Sequence, residues 1–424
     1  MQLTESQNEA IKATLRQFQV SDFATLLGAA GTGKTTIIKE LITRSPAFDQ
    51  VFVVAPTNKA AKVLTDKTDR HCQTVHKLFN LVLRDVEDSQ ELEQVDRVSF
   101  AEQSSLIIID EASMLNEDLM HLIHTGRDEV QWLGGKLKVL FVGDPCQLNP
   151  VGEDQSEALT YPGYELTQIM RQAEGNPIIR LAYEIRERIV TGSRTPIPFQ
   201  DYVDGEIISS LTKQNEFIDA YLADYHQDRD SHIITWRNAT LNSLNNQIRR
   251  KLYGAATARN PILEGEEVML YAPITRESKR GKRRVILENS AIGLVDSVEP
   301  TRLHDIDALR VEITCNETSY SFMRPYHQSE LDAKLHEIAA KAKLPENSKR
   351  RGQIFRDEFY PIKNDFVEAR PAHAITSHKS QGSTYQTAFV HVRDILANRS
   401  YEEALRSLYV AITRCSERLV LYGV

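Results

Sequence analysis

The run Gly28-Ala29-Ala30-Gly31-Thr32-Gly33-Lys34-Thr35 fits the pattern GxxxxGK[ST], and each of its residue types has a task if the target is a chain of phosphates. Gly28, Gly31 and Gly33 let the backbone curl so that its N–H groups face an anion. Lys34 can carry an ammonium to the β- and γ-phosphates. The Thr35 hydroxyl, with Thr36 beside it in the same binding run, is a hard oxygen ligand of the kind Mg2+ takes. A second cluster, Asp110-Glu111, follows Leu106-Ile107-Ile108-Ile109. Asp110 suits holding Mg2+ directly or through water, and Glu111 suits polarising an attacking water. A third group, Gln147 in Gly143-Asp144-Pro145-Cys146-Gln147-Leu148, offers an amide that could sense the terminal phosphate. Together these residues imply ATP and Mg2+ as cofactors.

The elements needed to position these groups are legible around them. A β-rich run, Phe23 to Leu27, precedes the glycine-rich segment, and a helical stretch, Thr36 to Ile42, follows it. Four consecutive apolar residues at 106–109 predict a parallel strand buried on both faces. Its carboxylates then fall at the C-terminal strand end, where α/β sheets place their ligands. Val139 to Val142 predicts another such strand before Gln147. Alone, an Asp-Glu at a strand end is a pair of solvated charges and Gly-Asp-Pro is a turn; the phosphate-binding pattern upstream shifts both readings toward chemistry.

Two further stretches fit a polyanion. Val51 to Val54 reads as a strand and leads into Ala55-Pro56-Thr57-Asn58-Lys59-Ala60-Ala61. This is a strand-to-helix turn with Thr57 as N-cap, and such a turn exposes N–H groups and a hydroxyl to a phosphate. In Thr74-Val75-His76-Lys77-Leu78-Phe79, His76 and Phe79 have rings that could stack on bases, each stack contributing ~1–3 kcal/mol without regard to sequence. Phe79 suits a core position equally well.

Composition restricts the class without naming it. The 424 residues, 41% hydrophobic and 26% charged, suit two or three ordinary globular domains. No apolar run of ~18 residues could span a bilayer, and the N-terminus lacks the basic-then-apolar signature of a secretory leader. Cys72, Cys146, Cys315 and Cys415 are too scattered for a zinc or disulfide framework, so a reducing cytoplasm is the expected setting. The net charge of −8 does not exclude nucleic acid, because a binding channel needs only local positive potential.

The order and spacing of these stretches resemble the superfamily 1 helicases, in the RecD/Dda-like 5′-to-3′ branch, and the resemblance runs from Gln7 to Cys415. Leu3-Thr4-Glu5-Ser6-Gln7 resembles the Q-motif, which implies that the Gln7 amide pairs with adenine. The stretches at 55–61 and 74–79 resemble motifs Ia and Ib, so Pro56, Thr57, Asn58, Lys59, His76 and Phe79 are implied strand contacts. Leu166 to Gln172 resembles motif IV, with Arg171 reaching the γ-phosphate. Ala374-Ile375-Thr376-Ser377-His378-Lys379-Ser380-Gln381-Gly382 resembles motif V, with Thr376, His378 and Lys379 toward nucleic acid and Gln381 and Gly382 toward ATP. Leu408-Tyr409-Val410-Ala411-Ile412-Thr413-Arg414 resembles motif VI, with Arg414 as an arginine finger; such fingers contribute on the order of 10³–10⁵ in rate.

What the resemblance implies for the fold is an α/β protein with two RecA-like P-loop domains built on parallel sheets, a small β-rich (SH3-like) insertion and a short β-hairpin insertion. The expected bounds are 1–79 and 101–185 for the first domain, 80–100 for the hairpin, 186–268 and 370–424 for the second domain, and 269–369 for the β-rich insertion. Strands are expected at His232 to Thr235, Ala388 to Val392 and Leu419 to Tyr422. Within the insertion, Arg310 to Thr314 and Val285 to Glu288 read as antiparallel β structure, and Leu331 to Lys343 as a helix ending before Pro345. Two basic clusters, Lys279 to Arg284 and Lys349 to Arg351, offer phosphate contacts. Family hairpins act as wedges, but this one carries Asp85, Glu87, Asp88, Glu91, Glu93 and Asp96 and has no aromatic before Phe100. The implied partners are single-stranded DNA and single/double-strand junctions, with a single-strand-binding protein as a candidate associate, for a monomer with no membrane contact. The rivals are a translocase that displaces proteins and unwinds weakly, and a nucleotide-binding switch with no motor.

Overall fold

The computed structural model describes residues 3–45, 48–86, 89–94, 96–167, 175–258, 260–277 and 283–424. The chain forms two compact units, one of residues 1–82, 92–241 and 375–424, the other of 83–91 and 242–374.

The first unit holds two separate parallel sheets. In the first sheet the strands lie in the order Gln73–Thr74, Gln50–Ala55, Ser104–Ile109, Lys136–Gly143, Phe23–Gly28 and Gly163–Leu166, and every described pairing is parallel. The apolar run at 106–109 shows why it is buried throughout. Ile107 and Ile109 enter one core with Val139, Phe141 and Phe23, while Leu106 and Ile108 enter a second core with Leu140, Val142 and Leu26. Successive side chains of a strand face opposite ways, so a doubly covered strand must be apolar at every position. Each such Leu or Ile contributes roughly 1.5–3 kcal/mol by leaving water.

The second sheet has the order Ala374–Thr376, Ser231–Thr235, Tyr385–His391, Cys415–Tyr422 and Ile208–Leu211. Its last four strands are parallel. All three strands expected here are present, each beginning before the expected residue, and the middle one ends at His391 rather than Val392. Helix Tyr401–Ile412 returns the chain to the final strand and is buried along most of its length.

The second unit is built on an antiparallel sheet ordered Thr318–Pro325, Ile306–Cys315, Ile292–Leu303, Glu267–Leu270 and Ala369–Pro371. A separate ribbon pairs Ile274–Glu277 with Arg283–Leu287. The long strands serve two cores: Val295, Leu309, Val311 and Ile313 pack in one, while Ile306 and Ala308 pack with Leu331, Ile338, Phe355 and Tyr360 of the following helices in another. The expected helix runs from Gln328 to Ala342. The insertion is wider than the expected 269–369: strands 267–270 and 369–371 pair with each other and belong to this sheet, and the unit takes in 242–374. The tip of the first basic cluster, residues 279–282, lies outside the described residues. The expected hairpin is a two-stranded sheet, Leu81–Val86 and Ser89–Gln94. Among the described residues, no helix is long and apolar enough to cross a membrane.

Candidate active site

The phosphate-binding pattern occupies the turn from strand Phe23–Gly28 to helix Lys34–Thr43. Gly31 and Gly33 have φ of 79° and 84°, a region that side chains rarely adopt, and Gly33 is the N-cap of the helix. A Cβ on Gly28 would lie 2.7 Å from Thr32 Oγ1, so the loop closes only with glycine there. Lys34 Nζ donates to the carbonyls of Gly28 (2.7 Å) and Ala29 (3.0 Å), which holds its ammonium over the loop. Thr35 and Thr36 stand partly exposed in the first turn of the helix.

Asp110 and Glu111 follow strand Ser104–Ile109, as expected. Asp110 Oδ1 accepts the Glu111 N–H at 2.9 Å. Burial pushes the Asp110 carboxyl up to about 6, the neighbouring Glu111 charge adds to the rise, and the Lys34 ammonium opposes it. That opposition brings the lysine and the carboxylate into one electrostatic site. Glu111 adopts φ 53°; a non-glycine residue there costs of order 1–3 kcal/mol, a strain typical of functional sites. Thr35 and Asp110 form a hard-oxygen pair of the sort that binds Mg2+ alongside substrate phosphates, and a carboxylate that is costly to ionise without a counter-ion fits that role. Among the described residues, no group of three or more His, Cys, Asp or Glu is placed to hold a metal ion by itself.

The second sheet supplies the other side of this site. Arg414, only 7% exposed, lies 3.7 Å from Glu111 Oε1 and is steadied by the carbonyls of Val410 and Ser383. It thus meets the expected catalytic carboxylate. Gln381 Nε2 reaches Leu148 O at 3.5 Å. Gln147 is 6% exposed, and its Oε1 has no hydrogen-bond partner among the described residues. Arg171 lies outside the described residues.

Four groups not anticipated from sequence complete the junction. The Tyr409 hydroxyl accepts the Ala30 N–H at 3.1 Å and donates to Asp144 Oδ2 at 2.5 Å. Arg406 donates to the carbonyls of Pro145 and Gln147, and Arg186 lies 3.8 Å from Asp144. Arg406 and Tyr409 are three residues apart on helix Tyr401–Ile412, so they share a face. That spacing was the available signal, and Arg414 drew attention away from it.

The expected strand contacts share one local design. Thr57, Thr74 and Thr376 each cap a helix that begins where a sheet strand ends, accepting the N–H of Ala60 (3.2 Å), Lys77 (3.2 Å) and Lys379 (3.3 Å). Pro56, His76, His378 and Lys379 are partly exposed and Asn58 is exposed. Burial lowers the pKa of both His76 and His378, so both rings are neutral near pH 7. Lys59 does not point freely outward: it donates to the Tyr385 hydroxyl at 2.8 Å and lies 4.7 Å from that ring's centroid.

One expectation is overturned, and two other residues have structural tasks besides the expected ones. Phe79 cannot stack on a base: it is 0% exposed, edge-on to Phe100 and pressed against Gly126, because the short helix Val75–Leu78 turns it into the core. Gly382, expected toward ATP, also has a packing task. Its φ is 70°, and a Cβ there would meet Ala60 at 2.7 Å and Thr57 at 3.4 Å, so it permits close approach to the Thr57-capped helix. Gln7 forms a capping box, its Oε1 accepting the Thr4 N–H at 3.0 Å and its own N–H reaching Thr4 Oγ1 at 3.2 Å. That gives the amide a helix-capping task besides the adenine contact implied for it.

A P-loop on one parallel sheet, faced by an arginine from a second parallel sheet, defines a P-loop ATPase of two RecA-like domains. Residues 2–193 match the AAA domain family and residues 371–422 the UvrD-like helicase C-terminal domain. The chain is similar to the ATP-dependent DNA helicase dda of Enterobacteria phage T4, at 23% identity over 97% of both chains. It is also similar to the ATP-dependent RecD2 DNA helicase of Deinococcus radiodurans, at 32% identity over 42% of this chain and 23% of that one. The fold is shared with Pif1 helicase from Bacteroides in complex with ADP-AlF3 and ssDNA, with a TM-score of 0.52 and 20% identity, covering 99% of this chain and 92% of that one. The protein belongs to the superfamily 1 helicases, in the group of RecD and Dda.

Proposed function

We propose that this protein is an ATP-dependent DNA helicase that travels 5′-to-3′ on single-stranded DNA and unwinds the duplex at a single/double-strand junction, acting as a monomer. The observation that carries the reading is the meeting of Arg414 and Glu111 across the two sheets at 3.7 Å. Hydrolysis at such a junction depends on both sheets being in place, so each cycle is coupled to their relative movement.

On the first sheet, Lys34 and the backbone of 28–35 bind and orient the triphosphate, and Glu111 aligns the attacking water. Thr35 and Asp110 would hold Mg2+, which supplies charge neutralisation at the phosphates when bound. On the second sheet, Arg414 offers its guanidinium to the charge that develops on the transferred phosphoryl group. The Thr57, Thr74 and Thr376 turns grip phosphates of the strand without reading bases, and His76 and His378 add neutral rings and donors. Because Thr57 and Thr74 follow strands of the first sheet and Thr376 a strand of the second, each sheet has its own grip, as an inchworm requires.

Unwinding of forked duplexes with either a 5′ or a 3′ single-stranded tail tests the proposal. ATP-dependent strand separation confined to the 5′-tailed fork is expected, and equal or 3′-restricted unwinding contradicts the direction. The acidic hairpin sequence favours a second reading, a translocase that strips bound proteins and unwinds weakly. Displacement of streptavidin from a biotinylated oligonucleotide, with no strand separation on either fork, would select it.

A further inference from the structure

Tyr409 is 1% exposed and Asp144 0%, yet the bond between them joins two sheets. The hydroxyl receives the P-loop N–H of Ala30 and passes its own proton toward Asp144. Burial and the Asp144 charge keep the phenol's pKa well above its ordinary value, so the direction of this donation is fixed at any working pH. Asp144 in turn is aimed by the Cys146 N–H at 3.0 Å and by Arg186. Arg406, one helical turn before Tyr409, holds the adjacent carbonyls of Pro145 and Gln147. The loop at 144–148 is therefore clasped from the second sheet at several points, and one of them continues into the phosphate-binding backbone.

Packing alone does not call for the hydroxyl. A phenylalanine ring fills the same space, and Asp144 without Tyr409 retains Cys146 and Arg186. The Ala30 N–H, by contrast, is held by that hydroxyl.

We propose that Tyr409 is a positioning residue for ATP hydrolysis, acting through the Ala30 backbone and aimed by Asp144, so that closure of the two sheets sets the phosphate-binding loop as well as delivering Arg414. The inference rests on the ATPase reading above. It assigns the second sheet two separate inputs into the site: a charge from Arg414 and a backbone setting from Tyr409.

The test compares wild type, Tyr409→Phe, Asp144→Asn and the double variant by kcat and KM for ATP, with and without saturating oligo-dT, alongside thermal melting. Tyr409→Phe should lower kcat about tenfold while KM moves less than about twofold and the melting temperature stays within about 2 °C. Asp144→Asn should lower kcat similarly, and the double variant should be no slower than the worse single one, as expected of groups acting as a unit. Full kcat in Tyr409→Phe overturns the inference. So does a loss of kcat that merely tracks a fall in folded protein, or additive losses in the double variant. Wild-type hydrolysis indifferent to oligo-dT would instead count against the motor reading; Tyr409 would still be judged by kcat without the oligonucleotide.

Discussion

The nucleotide cleft and the row of threonine-capped turns occupy equivalent places, the C-terminal ends of sheet strands, and are built in opposite ways. The cleft is buried, charged and strained. Asp110 is pushed toward neutrality, Glu111 sits in a left-handed conformation, and Arg414 and Tyr409 are nearly inaccessible. Thr57 and Thr376 are partly exposed, Thr74 is buried with the exposed Lys77 beside it, and each turn is held mainly by one backbone N–H to a threonine hydroxyl. Chemistry on a phosphate needs a fixed electrostatic frame prepared in advance. A grip that must release at every step needs several weak, sequence-blind contacts.

The contrast is sharpened by substitutions, which should fall in order of size. Lys34→Ala removes the ammonium held over the loop and should take hydrolysis below detection, a loss of about 10³ or more, with melting unchanged; robust turnover in that variant would remove the site. Arg414→Ala should cut kcat by on the order of 10³ while KM for ATP changes little, which steady-state kinetics resolves; a collapse of ATP affinity with turnover intact would make it a binding group.

Asp110→Asn sets function against stability, and its sign follows from the carboxyl's position. Folding raises this group from 3.8 to about 6, so between those values the native state binds more protons than the unfolded one, and stability falls as pH rises. The ionised carboxylate is therefore a burden above about pH 6, and the burden vanishes below the unfolded value. Asp110→Asn should abolish hydrolysis yet melt higher than wild type at pH 7, with the gap closing as the pH approaches 4. An equal or lower melting point at pH 7 would break the picture of a strained cleft. The smallest effects belong to the turns. Thr57→Ala or Thr376→Ala should each cost ~1 kcal/mol of stability and weaken oligo-dT binding a few-fold, seen by fluorescence anisotropy, without altering unstimulated hydrolysis.

The sequence disclosed what is contiguous and local. The glycine-rich loop, the four-residue apolar strand with its two carboxylates, and the threonine caps were readable because each is fixed within a few residues by backbone sterics or alternation. The second sheet was readable only as scattered strands, because its neighbours at 231–235, 385–391 and 415–422 are joined by tertiary pairing across the insertion. Phe79 was equally apt as core or as base platform, and only the turn of its short helix decides between them. Gly382 was assigned to ATP on resemblance; its lack of a side chain also answers to Ala60, a neighbour more than three hundred residues away in sequence. Of the Tyr409, Asp144, Arg186 and Arg406 junction only the three-residue spacing of Arg406 and Tyr409 on one helix was legible, because their partners are ordinary until two sheets meet.

The central claim, that one nucleotide is held between two sheets whose movement a bound strand can feel, is tested most directly by the steady-state rate of ATP hydrolysis by wild-type protein with and without oligo-dT. The account predicts a rise of about tenfold or more when the oligonucleotide is added. An unchanged rate would contradict it.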